Sequence, residues 1–265
     1  MSLTPAEALV LLDPMQEEGT PAVKVTFLGL MAEGVLRQEV VTGRVLGDRA
    51  GIRLARQPGS APPHVAAVLE AVRASSSGRI NDIAARLGKA TRRFATFVPE
   101  LVRPRLVQRG LLAETRRQEQ RRMLLLFRRT VTVSSFHPTE TGRREQDRIR
   151  AAIDQGPEIL AALDRDPPRA AAMALALGPL LVLIPALMPM LGQLAGAMEM
   201  VRNPGGGADG GAGGDGSSGG AADGGWAEGL SALDGALDGA LAEAGGDGDS
   251  DSGGDSGGSD GGGGE

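Results

Sequence analysis

Apolar residues recur along this chain mostly at helical spacing, and the longest uncharged run is the feature the remainder must cover. Residues 170–198 lie between Arg169 and Glu199 without a single charge. About twenty apolar residues suffice to cross a bilayer, so length alone permits a spanning helix. Gly178, Pro179, Pro185 and Pro189 argue against one, since each proline removes a backbone donor and costs roughly 3 kcal/mol inside a helix. The pattern predicts two or three short, fully buried helices, broken at Gly178-Pro179 and near Pro185, that form the heart of a core. Membrane insertion of 170–198 is the alternative.

Upstream, Thr4-Pro5-Ala6-Glu7 is a capping box with proline at the first helical position, and it opens a helix through Leu9 to Leu12. A second helix is expected over 23–37, with Phe27, Leu28, Met31, Val35 and Leu36 inward. Residues 40–46 and 52–54 read as a hairpin turning at 47–51. Val65, Val68, Leu69 and Val72 mark a helix, and 80–87 a short one stopped by Gly88. A further helix carries Phe94, Phe97, Val98, Leu101, Val102, Leu106 and Val107, bends near Pro99 and Pro104, and is capped by Gly110. Residues 111–114 and 123–127 read as the arms of a second hairpin around a charged turn at 115–122. The stretch 130–136 is β-prone or extended coil. Helices are expected from Pro138-Thr139-Glu140 to about Asp154 and over 158–164. The fold class is therefore mainly α, a helical domain around a buried apolar helix with one or two small β-hairpins.

Composition divides the chain in two. Residues 205–265 hold 26 of the 41 glycines and 13 acidic residues with no Lys or Arg, too little apolar surface to offset ordering, so they are expected to be a disordered Gly/Asp-rich tail dispensable for folding. Trp226, Leu230, Leu233, Leu237 and Leu241 fall near helical spacing there, on glycine-interrupted sequence that would fold only against a partner or the body. Residues 1–204 form the domain proper. Without the tail its 28 basic residues meet 20 acidic ones, a net charge of +8 against −5 for the whole chain. A basic body meets anionic partners, and an acidic tail competes for that face.

Candidate chemistry is sparse. There is no cysteine, and the chain does not open with a signal-peptide pattern, so a cytoplasmic location is expected. His64 and His137 stand beside prolines in expected loops, outside any metal-ligand or triad spacing, and read as surface residues. The tail's glycines do not form a phosphate-cradling loop, and Asp247, Asp249, Asp251 and Asp255 lack the terminal Glu of a calcium loop. No enzyme and no cofactor is expected. The positive signal is arginine: Arg92, Arg93, Arg103, Arg105 and Arg109 along one helix, then Arg116, Arg117, Arg121, Arg122, Arg128 and Arg129 around the hairpin. Guanidinium matches phosphate bidentately and stays charged. Either these form a phosphate-facing surface or they are a solvated face paired with Glu100, Glu114 and Glu119.

The order Leu3-Thr4, Glu7 and the apolar run after it, Gly43-Arg44, residues 106–114 (LVQRGLLAE), Leu125-Leu126-Phe127, residues 148–153 (RIRAAI) and residues 166–171 (DPPRAA) resembles the Golgi phosphoprotein family and its bacterial relatives over roughly residues 3–200. The resemblance implies a mostly helical domain, a protruding hairpin (here 111–127) used in self-association, and a basic face binding phosphatidylinositol 4-phosphate on membranes. Val23, Ala32, Thr96 and Pro99 stand where that family carries its headgroup tryptophan and arginines, and none can do that work. The site residues expected are Arg92, Arg93, Arg103, Arg105, Arg121, Arg122, Arg128 and Arg129. The expected function is that of a non-enzymatic peripheral membrane or adaptor protein binding anionic lipid, located in the cytoplasm or at the inner membrane face. A winged-helix DNA- or protein-binding module is the rival reading, with nucleic acid the less favoured partner.

Overall fold

Thr4 and Glu7 start the first helix as their spacing predicts. The Thr4 hydroxyl accepts from the Glu7 N–H at 3.2 Å and the Glu7 carboxylate accepts from the Thr4 N–H at 2.9 Å, a reciprocal cap that satisfies two otherwise orphan donors. The structure, a computed structural model, describes residues 3–43, 47–122, 128–190, 193–194, 197–198, 201 and 235–244, and only the backbone of 40–43, 47–50, 119–122 and 128–131. Helix α1 (Pro5–Leu12) buries Ala6, Glu7, Ala8, Val10 and Leu11, so it is covered around most of its circumference. It packs against α2 (Gly19–Ala32), against α5 (Arg103–Gln108) and the π-helical turn Phe97–Val102 before it, and against α6 (Glu140–Ile153). The body is therefore organised around α1, not around the long apolar run.

Helix α2 stops earlier than the periodicity predicts. Gly34 adopts a positive φ of 68° and the chain turns into strand β1 (Leu36–Gly43), so Val35 and Leu36 reach the core from a loop and a strand. Strand β2 (Gly47–Leu54) returns antiparallel, with register from Leu36↔Leu54 to Gly43↔Gly47. The expected turn at 47–51 is thus strand, and the connection 44–46 lies outside the described residues. Helices α3 (Pro63–Ala74) and α4 (Ile80–Ala90) come next, the latter continuing through Gly88 to a cap at Thr91. Phe27, Phe94 and Phe97 are each at most 1% exposed. Gly19 is needed where α2 begins, because a Cβ there would overlap the Phe94 carbonyl.

The second hairpin corrects the sequence reading more sharply. Strand β3 (Leu112–Arg122) pairs antiparallel with β4 (Arg128–Pro138), from Leu112↔Pro138 to Arg122↔Arg128. The run expected as a charged turn is strand, residues 130–136, read as β-prone or extended coil, belong to the return strand, and the expected second arm, 123–127, lies outside the described residues. Strand β3, whose residues 113–118 are all exposed, carries no apolar alternation to mark it as strand.

After α6, helices α7 (Gly156–Arg165) and α8 (Pro167–Leu177) pack on each other, and the apolar run continues as two 3₁₀ segments, Gly178–Leu183 and Pro185–Met190. The breaks fall at Gly178, with φ 57°, and at Pro185, as proline and glycine require. The run is not fully buried: Leu181, Val182, Ile184 and Leu187 face inward, whereas Ala172, Ala176, Pro185, Ala186 and Pro189 are exposed. Among the described residues no helix is long and apolar enough to cross a membrane. Within the tail, residues 235–244 form a helix that buries Leu237, Ala240 and Leu241 against the body, so this part of the tail folds on the domain.

Leu181→Asp should abolish recovery of folded protein. Leu181 is 5% exposed, and an unpaired charge there costs several kcal/mol against a total stability of about 5–15. Near wild-type thermal unfolding of this variant would show that the run does not belong to the core.

Candidate anion-binding surface

The arginines singled out from the sequence do not share one face. Arg103 is 7% exposed; its Nη2 donates to the Gln16 carbonyl at 2.5 Å and its guanidinium lies 4.8 Å from the Phe136 ring centroid. Burial pulls its pKa down, and the nearby carboxylates of Glu17 and Asp13 oppose that. Arg105 Nε sits 2.7 Å from one oxygen of Glu7 and Arg109 Nη1 sits 3.3 Å from the other. The Glu7 side chain is fully buried, so these two arginines neutralise an interior charge and join α1 to α5. Arg103 is therefore committed to the interior, in contrast to the sequence expectation, and Arg105, with its side chain 33% exposed, is fastened to Glu7 while remaining partly open to solvent.

His64 extends the same interior group and overturns its reading as a surface loop residue. It occupies the first turn of α3, fully buried, with Nε2 2.9 Å from the Thr4 hydroxyl and its ring edge-on to Phe97 at 6.4 Å. Burial pushes its pKa down to about 4, with Glu7 raising it and Arg105 lowering it further. The Leu101 backbone also acts on the ring, raising its pKa slightly against the burial. His137, by contrast, is exposed, as expected, although it stands on strand β4 and not in a loop.

Arg92 and Arg93 do face solvent, on an unusual support. Arg92, Arg93 and Phe94 are three consecutive non-glycine residues with positive φ, at 48°, 56° and 68°. L-residues in that region cost roughly 1–2 kcal/mol each. The fully buried Phe94 ring and the Arg93 N–H donated to the Gly88 carbonyl at 2.6 Å hold the turn. The result is a core anchor preceded in the chain by two projecting cations. Arg86 and Lys89, three apart on the polar side of α4, are exposed beside this turn. Sequence reasoning did not include them, although their i, i+3 spacing opposite Ile83 and Leu87 marks them as outward.

The third group lies on the hairpin. Register sets Arg121 opposite Arg129 and Arg122 opposite Arg128 on consecutive rungs at the end of the ribbon remote from α5 and α6. Nearer its base, Arg116 is engaged by Glu114 at 2.8 Å, and this contact, with that of Ser134, holds the Glu114 carboxyl below the usual carboxylate range. Val23, which stands at a headgroup position of the resembled family, is fully buried, and Pro99 is exposed. A small cleft of about 80 Å³ between Pro5, Gly29, Leu30, Pro62 and Val65 is mostly apolar. Among the described residues no group of three His, Asp or Glu could hold a metal. Comparison with protein-family models, curated proteins and solved structures finds no match to this chain.

The buried imidazole makes stability depend on pH. With the folded pKa at about 4 and an unfolded value near 6.5, the unfolded chain binds the extra proton between these values, so stability is full above about pH 6.5 and declines as pH falls towards 4. Urea unfolding should show a loss of about 2 kcal/mol between pH 7 and pH 5, and His64→Gln should flatten that slope. An unchanged slope in the variant would place the titrating group elsewhere.

Proposed function

We propose that the protein is a non-enzymatic peripheral membrane protein or adaptor whose arginine-rich hairpin end and αL turn meet anionic lipid, with phosphoinositide-like headgroups as the ligand chemistry. The observation that carries this reading is the pair of consecutive Arg–Arg rungs, Arg121↔Arg129 and Arg122↔Arg128. Like charges directly across a strand pair oppose folding. Consecutive rungs alternate between the two faces of a ribbon, so each face of the hairpin end carries one Arg–Arg pair, and each pair favours an anion such as a phosphate group that can neutralise both charges. The exposed Arg86, Lys89, Arg92 and Arg93 add a second basic site. With Arg103 committed to the interior, Arg105 fastened to Glu7, and the resembled family's headgroup positions occupied by Val23, Ala32, Thr96 and Pro99, general electrostatics is supported over a pocket for one headgroup. Self-association through the hairpin fits the same reading, because among the described residues both outer ribbon edges are unpaired.

The winged-helix alternative fares worse on one point. It needs the arginines of 103–109 on the outer face of a recognition helix, and Gln16 and Glu7 engage them instead.

Sedimentation with phosphatidylcholine vesicles, with and without phosphatidylserine, tests the proposal. Binding should require the anionic lipid and weaken sharply with salt, since exposed charges are screened over about 8 Å at physiological ionic strength. Each basic residue at such a surface contributes about 1 kcal/mol, so replacing Arg121, Arg122, Arg128 and Arg129 together by Ala should weaken binding at least about a hundredfold. Equal binding to neutral vesicles would end the electrostatic reading, and duplex DNA binding without vesicle binding would favour the winged-helix module.

A further inference from the structure

Helix 235–244 rests on α2 and α4 with one apolar face down. Leu237, Ala240 and Leu241 are buried and Ala236 and Ala244 half-buried, whereas Gly235, Asp238, Gly239, Ala242 and Glu243 are exposed. Three contacts fix its place on the body. Lys24 Nζ on α2 lies 2.8 Å from Asp238. Asn81 Nδ2, in the first turn of α4, donates to Glu243 at 3.1 Å. Gly88, further along α4, leaves room for Ala244: a Cβ on that glycine would stand 3.3 Å from the Ala244 carbonyl oxygen and 3.4 Å from its Cβ. Gly88 lies inside α4 and outside the left-handed region, so close approach calls for glycine at a position where alanine would make the better helix. Beneath this surface stands Phe94. Its ring end would lie 3.4 Å from a Cβ on Gly88, and its backbone abuts Gly19 at the start of α2. Phe94 thus bridges the two helices that receive 235–244, and the left-handed turn Arg92–Phe94 places it there. Strained backbone of this kind is kept where a site depends on it.

We propose that this groove, walled by α2 and α4 over Phe94, is a docking site for an acidic amphipathic helix of another protein, and that residues 235–244 fill it until such a helix displaces them. The body side is specific and its resident is weak. Gly235 and Gly239 are helical although a Cβ at either would meet nothing within 4 Å, so they weaken the helix without a steric need for glycine. Asp238 and Glu243 make their contacts from exposed positions, where salt screens them. A helix that keeps these contacts and lacks the two glycines is the better occupant. The resident segment also defines that ligand, in the mode of a helix laid in a groove. Its first apolar anchor, Leu237, is followed at once by the acid that meets Lys24, and Ala240 and Leu241 supply the next anchors at helical spacing. Glu243 then reaches Asn81, and a small residue, Ala244, fits against Gly88. While residues 235–244 are docked, a partner meets only the fraction of molecules whose groove is open, and its apparent affinity falls in proportion. None of this rests on the anion-binding reading.

The test is fluorescence anisotropy of a labelled peptide of residues 235–244 bearing Gly235→Ala and Gly239→Ala. It is titrated with the full chain as wild type, as Leu237→Ser/Leu241→Ser, and as Asp238→Lys, which leaves the apolar face untouched. Acetylation of Lys24, read by mass spectrometry, reports in each whether the resident helix has left. Both variants should label faster than wild type and bind the peptide more tightly, the serine variant by at least about tenfold because its groove is open in most molecules. Peptide with the natural glycines should bind more weakly, by up to about fivefold for each. Adding Lys24→Glu to the serine variant should weaken binding several-fold, and a peptide that also carries Asp238→Lys should recover the loss. Equal binding by all forms, or none although Lys24 labelling has risen, overturns the docking site. Unchanged Lys24 labelling in both variants overturns occupancy by 235–244. Wild-type protein that dimerises with concentration, and that the peptide returns to monomer, would overturn the assignment to another protein in favour of a second copy.

Discussion

A carboxylate with no access to water sits in the first helix, and the body is arranged to neutralise it. Glu7 is fully buried and is met by the Thr4 N–H, Arg105 and Arg109, while Thr4 is in turn bonded to buried His64. An isolated interior charge would cost several kcal/mol, so α1, α3 and α5 are held in the one arrangement that brings these groups together. This polar centre selects a register for the helices that Leu, Val and Ala packing alone would leave less defined, since apolar cores tolerate many rearrangements of similar volume.

The same constraint sorts the arginines. Those within reach of the interior carbonyls and carboxylate, Arg103, Arg105 and Arg109, are consumed by the fold. Arg92 and Arg93, on the αL turn, are exposed instead. The left-handed turn at Arg92, Arg93 and Phe94 shows how firmly the division is made, because three unfavourable backbone conformations persist where the buried phenyl ring holds them. Strain of this kind collects at functional positions more often than elsewhere.

Much of the helical framework was legible in the sequence because its signals are local. The Thr4-Pro5-Ala6-Glu7 cap, the glycine close at Gly110, the breaks at Gly178 and Pro185, and helices α3, α6 and α7 all derive from spacing and from the chemistry of single residues. Strand β3 was misplaced because its residues 113–118 are exposed and mostly polar, so the apolar run after it drew the expected second arm to 123–127 and its arginines suggested a turn. The interior site was not legible at all. Glu7 and Arg109 are 102 residues apart, and a surface arginine reads the same as one that meets a buried carboxylate. His64 was assigned to a loop by its neighbouring prolines, although a proline in the first turn of α3 is also a helix-start signal. The apolar run was given the central place that belongs to α1, because length and hydropathy do not reveal that one side of it faces water.

A double-mutant cycle on Glu7 and Arg105, read by urea unfolding at pH 7, tests most directly the claim that the interior carboxylate organises the body. Arg105→Gln leaves the buried charge with only part of its neutralisation and should cost about 3–5 kcal/mol. Glu7→Gln keeps the cap and frees two arginines that can reach water, so it should cost less. The predicted coupling between the two sites is about 2–3 kcal/mol. Additive losses, with a coupling below about 0.5 kcal/mol as for an exposed ion pair, would contradict the account.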